Sequence, residues 1–476
     1  MKAVIMAGGQ GSRLKSISGD LPKPMVPVEG KPILQYQIEH LRDCGIHEIR
    51  LIIGHLGEAI RDYFGNGSDL GVQIEYFCEE RPLGTAGALF YLKDQIKDDF
   101  LLLMGDLMLD VDFNRFMRFH KACGGSVTLF VHPNAHPYDS DIIVTDTVGR
   151  LEEYDEAHCA GKQLLQENEI PTEEAEQRLR RHALVTGILG KKEERRQYYH
   201  NQVNAGIYAI SPEVLHAMKE PEEGVKIDLD RDVIRPLIEK GEVYACHSTE
   251  YVKDMGTPDR YEAVSRDLKC GIVSSRNLKN KQKCIFLDRD GTINELNGFV
   301  KAPDELKPID GAAEAIGRIN RSEYLCIVIT NQPVIARGEC SFAELDMIHA
   351  KLETELGKAG VYIDGLYFCP HHRDRGFEGE VESLKFDCGC RKPNAGMLFL
   401  AAAEHNIDLA ASYMIGDSLQ DVECGKKAGT KTVLLSAAGD GTGTATAQAA
   451  DRVCGSLSSA VAEIFEEGQD GGDLPK

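Results

Sequence analysis

The sequence predicts an α/β protein of two doubly wound domains, and three observations carry that reading. Short apolar runs of strand length alternate with helical patterns through both halves. The length of 476 residues exceeds what one hydrophobic core supports, and 42% apolar content gives material for two. Between the two strand series the chain turns polar, in YEAVSRDLKCGIVSSRNLKNKQK.

In the first half, KAVIMA (2–7), IRLIIG (49–54), VQIEYF (72–77) and FLLLMGD (100–106) read as buried parallel strands separated by helical patterns such as ILQYQIEHLRDCG. From about 155 to 200 the chain becomes charged and helix-rich, an insertion on the substrate side read as an exposed helical pair, before VNAGIYAI resumes a strand. The second series is CIFLDRDGT, LCIVITN (325–331), YMIGD (413–417) and TVLL (432–435). The expected organisation is a first domain over 1–265, a linker over 266–282, a second domain over 283–460 and a flexible tail over 461–476, whose EEGQDGGDLPK ending has a disordered composition.

The 54 basic and 76 acidic residues give a net charge of −22, so no basic surplus exists to displace counterions from a polyanion and nucleic acid is not an expected partner. No run of about 18 apolar residues marks a membrane span and MKAVIMAGGQG lacks a signal h-region, so a cytoplasmic protein with no membrane partner is expected. Of 14 cysteines, Cys369, Cys388 and Cys390 cluster and the others are scattered, which fits reduced thiols plus one metal site.

Gly8, Gly9 and Gly11 follow the first strand, so the backbone can approach a nucleotide and aim N–H groups at its phosphates. Arg13, and Lys23 held between Pro22 and Pro24, add two cations suited to a triphosphate. Neither a Walker A nor a dinucleotide fingerprint is present. With these motifs, residues 1 to about 262 resemble the sugar-phosphate nucleotidyltransferases: Gly8 to Leu14, then Pro22 to Met25, and a base-recognition loop Pro82-Leu83-Gly84-Thr85-Ala86-Gly87. The resemblance implies nucleotide contacts from Gly8, Gly9, Gly11, Ser12, Arg13, Lys23, Gly84 and Thr85, magnesium ligands Asp106 and Asp254, and sugar contacts at Asn204 and Gly206. Catalysis would then be positioning and electrostatics, led by Arg13 and Lys23, with the sugar phosphate attacking in line. The family's short Glu-Lys-Pro segment is replaced here by the 155–200 insertion.

In the second half, Asp288 and Asp290 stand one residue apart after a strand, a spacing that lets one carboxylate attack phosphorus while the other protonates the leaving oxygen and activates water. With Thr330 and Asn331, Lys392, and Asp417 and Asp421 following in order, this half resembles the haloacid dehalogenase superfamily of phosphatases. The resemblance implies that Thr330, Asn331, Arg391 and Lys392 hold the phosphoryl group and that Asp288, the Asp290 carbonyl and Asp417 bind Mg²⁺, with Asp421 orienting that shell. Cys369, His371, Cys388 and Cys390 suit a closed, structural Zn²⁺ site, with His372 available in place of His371. That loop, with Ile335-Ala336-Arg337-Gly338, narrows the resemblance to the branch of heptose bisphosphate and histidinol phosphate phosphatases, from which Pro333-Val334 departs.

Together the resemblances imply a bifunctional enzyme of GDP-heptose synthesis, acting on GTP and heptose phosphates for a cell-surface glycan. The alternatives are a hexose 1-phosphate nucleotidyltransferase fused to a histidinol-phosphate-like phosphatase, or a regulatory protein that binds nucleotide sugar. Self-association is left open.

Overall fold

Alternate residues of the apolar runs are buried on opposite faces of a sheet, as a doubly wound fold requires: Ala3 and Ile5 join one core, while Val4 joins another. A computed structural model describes residues 1–8, 17, 19, 21–54, 56–146, 183–190, 197–436 and 449–470. Strands β1 (Lys2–Met6), β2 (Glu48–Ile53), β3 (Gln73–Cys78) and β4 (Phe100–Met104) are parallel. After β5 (Leu107–Asp110), the sheet continues with β6 (Val127–His132), β7 (Ile142–Thr145), β8 (Val185–Leu189), β9 (Val203–Ile210) and β10 (Val243–His247), in the order β8-β7-β9-β4-β1-β2-β3 with β6 pairing β9 and β10. Strand β11 (Tyr251–Asp254) pairs antiparallel with β5 and sets Asp254 opposite Leu107, beside Asp106.

The second sheet holds β12 (Lys283–Leu287), β13 (Tyr324–Asn331), β14 (Gly365–Cys369), β15 (Tyr413–Gly416), β16 (Lys431–Leu435) and β17 (Arg452–Cys454), all parallel, in the order β14-β13-β12-β15-β16-β17. All six carry their following loops at one end, where open α/β sheets bind ligands.

Five helices matter below: α1 (Pro258–Lys269), α2 (Ile272–Ser275), α3 (Phe342–Lys358), α4 (Leu419–Ala428) and α5 (Leu457–Asp470). A capping box starts α3, with the Ser341 hydroxyl accepting from Glu344 N and the Glu344 carboxylate accepting from Ser341 N.

Three sequence expectations are corrected. The segment 266–282 is not a free linker: it forms the end of α1 and all of α2, and Ile272, Val273, Leu278 and Gln282 are buried. The tail expected from 461 is helical to Asp470, because Val461 and Ile464 seat in the second core at 0% and 2% exposure. Within the expected insertion, Val185–Leu189 is the edge strand β8 rather than helix, paired with β7. The rest of that insertion, 155–182 and 191–196, lies outside the described residues.

The two halves meet along α3. His200 donates to Glu353 at 2.7 Å and to Asp346 at 3.0 Å, and Tyr199 N donates to the Thr354 hydroxyl at 3.0 Å. Near the helix end, Gly357 faces Pro137 so closely that a Cβ would lie 2.6 Å from its Cγ. Arg276, from just after α2, reaches into the second half to pair with Asp364 at 3.2 Å. No helix among the described residues is long and apolar enough to cross a membrane.

Candidate active sites

The first site gathers at the carboxyl ends of β1 and β4. Lys23, set by the restricted Pro22-Lys23-Pro24 backbone, forms an ion pair with Asp106, which follows β4. Gln37 donates to the carbonyls of Met104 and Leu107, at 3.0 and 2.7 Å, and so fixes the backbone on both sides of Asp106. The second expected carboxylate, Asp254, takes two bonds of 2.9 Å from Arg260. Burial alone would raise the Asp254 pKa, but Arg260, and at longer range Lys23, hold it below the usual carboxylate range. Asp254 thus stays ionised, and each carboxylate already faces a cation, a donor set suited to a divalent metal.

Gly84 is required by close approach: at φ +91, a Cβ would sit 2.3 Å from the Ile227 carbonyl. Thr85 seals the same seam, its hydroxyl accepting from Leu229 N at 2.7 Å and donating to Asp228 at 3.2 Å. Asn204 accepts from Gly206 N at 3.1 Å and donates to the Tyr208 hydroxyl at 3.1 Å. Gly8 is in place at the end of β1; Gly9, Gly11, Ser12 and Arg13 lie outside the described residues.

A cavity of about 540 Å³ begins at Asp106, Asn204, Gly206 and Asp254 and extends to Arg321, Tyr362 and Asp364 of the second half. Those last three residues precede β13 and β14, at the amino ends of the second sheet.

At the opposite, carboxyl ends of that sheet stands the second site. Asp288 follows β12, Thr330 is the penultimate residue of β13 and Asp417 follows β15. Lys392, 3% exposed, lies 2.8 Å from Asp288 and 2.6 Å from Asp421, and also donates to the Ile329 carbonyl at 3.0 Å. Asn331 bonds the Lys392 backbone in both directions, at 3.0 and 3.1 Å. Asp288, Asp417 and Asp421 come within 4.8 Å of one another. Burial pushes Asp288 upward against the pull of Lys392, and burial with Asp421 nearby pushes Asp417 up to about 6. Crowded carboxylates, with Asp288 and Asp417 both raised, fit a cation that would relieve their repulsion. Gly291 makes the crowding feasible, since at φ +80 a Cβ would lie 2.0 Å from the Asp417 carboxylate.

The structure does not bring the Asp290 carboxylate into this cluster. It pairs with Arg289 at 2.9 Å and accepts from Asn294 and Gln332, both at 2.9 Å. Arg391 is turned to the His371 carbonyl, at 3.2 Å. Asp421 caps α4 by accepting from Ser418 and thereby holds Lys392.

Cys369, His371, Cys388 and Cys390 are all buried, and their sulfur and Nδ1 atoms are 3.3 to 3.5 Å apart along the five measured edges. Ligands about 2.3 Å from a tetrahedral zinc stand roughly 3.5–3.8 Å apart, so the set fits that ion. His371, not His372, belongs to the cluster; His372 instead receives Arg337 at 3.2 Å.

Three supporting residues escaped the sequence reading: Arg260, Gln37 and Arg289. Arg289 is 0% exposed, and its position between the two aspartates of Asp-x-Asp was the available signal. Arg260 stands six residues after Asp254, and that proximity was the available signal, whereas Gln37 carries none, since its partners lie 67 and 70 residues away.

A buried nucleophile-type carboxylate beside one lysine, and a separate strand-end carboxylate paired with another, define a two-site enzyme of phosphoryl and nucleotidyl transfer. The nucleotidyl transferase family model matches residues 2–270, and the HAD-hydrolase-like model matches 389–460. Over 183 residues the chain is 38% identical to the D-glycero-beta-D-manno-heptose-1,7-bisphosphate 7-phosphatase of Salmonella typhi, spanning 38% of this chain and 95% of that protein. Against the enzyme of the same name from Escherichia coli (strain K12), identity is 39% over 173 residues, 36% of this chain and 88% of that protein. Among solved structures, HddC from Yersinia pseudotuberculosis complexed with GMP-PN is 23% identical, covering 56% of this chain and 99% of that one, with a TM-score of 0.41. The chain belongs to the nucleotidyl transferase family and, through its second half, to the family of these HAD-like 7-phosphatases. Its two halves are a nucleotidyltransferase and a phosphatase.

Proposed function

We propose that the chain hydrolyses the 7-phosphate of D-glycero-D-manno-heptose 1,7-bisphosphate and transfers GMP from GTP to the resulting heptose 1-phosphate, giving GDP-heptose and pyrophosphate. The observation that carries this is the fusion itself: a half related to 7-phosphatases over 81% to 95% of their length is joined to a nucleotidyl transferase. Removing the 7-phosphate leaves the anomeric phosphate, the nucleophile that nucleotidyl transfer needs. GTP is supported by the 225–238 segment, which resembles that of guanylyltransferases and locks onto the expected base loop through Ile227 and Thr85. The substrates are those of the cytoplasm.

In the phosphatase half, an Asp288 oxygen attacks the 7-phosphorus and the bond to the sugar oxygen breaks. Asp290, which must first turn from Arg289, Asn294 and Gln332 and take up a proton, gives that oxygen its proton and then takes one from the water that cleaves the aspartyl phosphate. Thr330, Asn331, Lys392 and Arg391 bind the phosphoryl oxygens, which asks Arg391 to swing from the His371 carbonyl. Mg²⁺ fits Asp288, the Asp290 carbonyl and Asp417, where it would neutralise phosphate charge. In the transferase half, Gly8, Gly9, Gly11, Ser12, Arg13 and Lys23 hold the triphosphate, Gly84 and Thr85 the base, and Asn204 and Gly206 the sugar. Asp106 and Asp254 fit a second Mg²⁺. Zn²⁺ at Cys369, His371, Cys388 and Cys390 would brace the loop carrying Arg391 and Lys392.

Incubation with heptose 1,7-bisphosphate, GTP and Mg²⁺, followed by mass spectrometry, should show phosphate, pyrophosphate and GDP-heptose; absence of both phosphate release and GDP-heptose rejects the reading. Both anomers belong in the assay, because the relatives are named for the beta form. Parallel reactions with the other three nucleoside triphosphates test the base.

A further inference from the structure

We propose that helix α3 of the phosphatase half is a working part of the transferase's sugar site, with Glu353 as a positioning residue. The inference rests on the transferase reading above and adds to it a determinant of sugar affinity supplied by the other catalytic domain.

The segment 199–201 runs directly into β9, which carries Asn204 and Gly206, and α3 grips it at successive residues. Tyr199 N donates to Thr354 at 3.0 Å, His200 donates to Glu353 at 2.7 Å and Asp346 at 3.0 Å, and Asn201 N donates to the other Glu353 oxygen at 2.7 Å. Glu353 therefore holds two consecutive residues with its two oxygens, and its side chain is only 14% exposed. Three residues on, Asn204 N donates to the Asp141 carbonyl, which places the sugar-facing strand against β7.

The grip extends across the cavity mouth. Asn201 exchanges bonds with the Asn134 backbone, at 2.7 and 3.3 Å, and so fixes the loop 133–140. The end of α3 meets the same loop, Gly357 against Pro137. From that loop, Asp139 accepts from Arg260 at 2.8 Å and His136 from Arg260 at 3.1 Å, while Arg260 holds Asp254. Thus α3 touches the supports of both walls of the sugar end of the cavity, the Asn204 side and the Asp254 side. Among the described residues, Lys23 and the Gly84–Thr85 seam that would serve the nucleotide make none of these contacts, so the effect should fall on the sugar phosphate alone.

The test uses the full chain with Glu353→Gln, which keeps shape but removes the charge and one acceptor, and with Asp346→Asn as a milder second variant. KM and kcat are measured for the sugar 1-phosphate at saturating nucleotide, for the nucleotide at saturating sugar, and for the phosphatase reaction. A small displacement of substrate-holding groups costs rate and affinity steeply, so KM for the sugar 1-phosphate should rise about fivefold or more in Glu353→Gln and less in Asp346→Asn. Nucleotide KM and phosphatase kcat/KM should stay within about twofold. An unchanged sugar KM in Glu353→Gln overturns the proposal, as does a parallel loss in all three measurements, which would mark a merely structural contact. Heptose and mannose 1-phosphates are both assayed: use of mannose 1-phosphate alone sinks the heptose assignment while the KM split still decides the role of Glu353, and no turnover of either by the unsubstituted enzyme sinks both.

Discussion

Replacing Arg276 by methionine would strip the counter-charge from one buried carboxylate and leave the packing volume nearly intact. The Arg276 side chain is 5% exposed and that of Asp364 is 2% exposed. Besides the 3.2 Å ion pair, Arg276 donates to the Tyr324 carbonyl at 2.7 Å, and Asp364 accepts from Cys326 N at 2.7 Å. Removing one partner of such a pair leaves the other charge buried, at a cost of about 3 kcal/mol. For a domain the size of the phosphatase half, that lowers the Tm by roughly 6–12 °C. Burial already raises the Asp364 pKa, with Arg276 pulling it back, so in the variant it climbs further. A group with a raised folded pKa gains a proton on folding as pH falls, so the deficit should shrink between pH 8 and pH 5. The assay is thermal unfolding followed by circular dichroism, with calorimetry, at both pH values. Arg276→Met combined with Asp364→Asn should recover more than half of the loss. A Tm change under about 1 °C in the single variant, or a double variant no better than the single, refutes the reasoning.

Further outcomes are expected. Asp288→Asn should abolish phosphate release and spare nucleotidyl transfer, as assayed by pyrophosphate formation; loss of both would contradict independent chemistry at the two sites. Cys390→Ser should lower zinc content by metal analysis and reduce the thermal stability of the phosphatase half, and unchanged zinc would remove Cys390 from the ligand set. Two carboxylates outweigh the effect of burial and raise His200 to about 10, against a reference near 6.5 in the unfolded chain. Its stabilising charge is therefore fully present below about pH 6.5 and lost as pH rises toward 10, so unfolding temperature should decline over that window and His200→Gln should flatten the decline.

Much of the fold was legible because its signal is local. Runs such as LCIVITN are apolar enough that only a strand buried on both faces accommodates them, and β13 occupies that stretch. Asp288, Lys392 and Asp417 were legible through the order of short motifs, and the Cys-x-His and Cys-x-Cys pairs through spacing, which the structure then gathered within 4.8 Å. What escaped depends on partners far along the chain. Residues 266–282 look polar, yet Arg276 is buried because Asp364 awaits it 88 residues later. The residues after 461 look like a tail by their last few letters, while Val461 and Ile464 find a core assembled from β13, β15 and α3. Nor could any pattern foretell that His200 would meet Glu353, since the grip exists only once two folded domains touch.

The cavity of the transferase is walled by residues preceding β13 and β14, whereas Asp288 follows β12 and Thr330 lies near the end of β13, at the opposite end of the same sheet. A strand of eight residues is roughly 25 Å long, so the two mouths open on opposite flanks of one sheet. A trimmed monophosphate therefore has a distance of that order to cover between release and recapture. Joining the two catalysts in one polypeptide also secures their equal abundance.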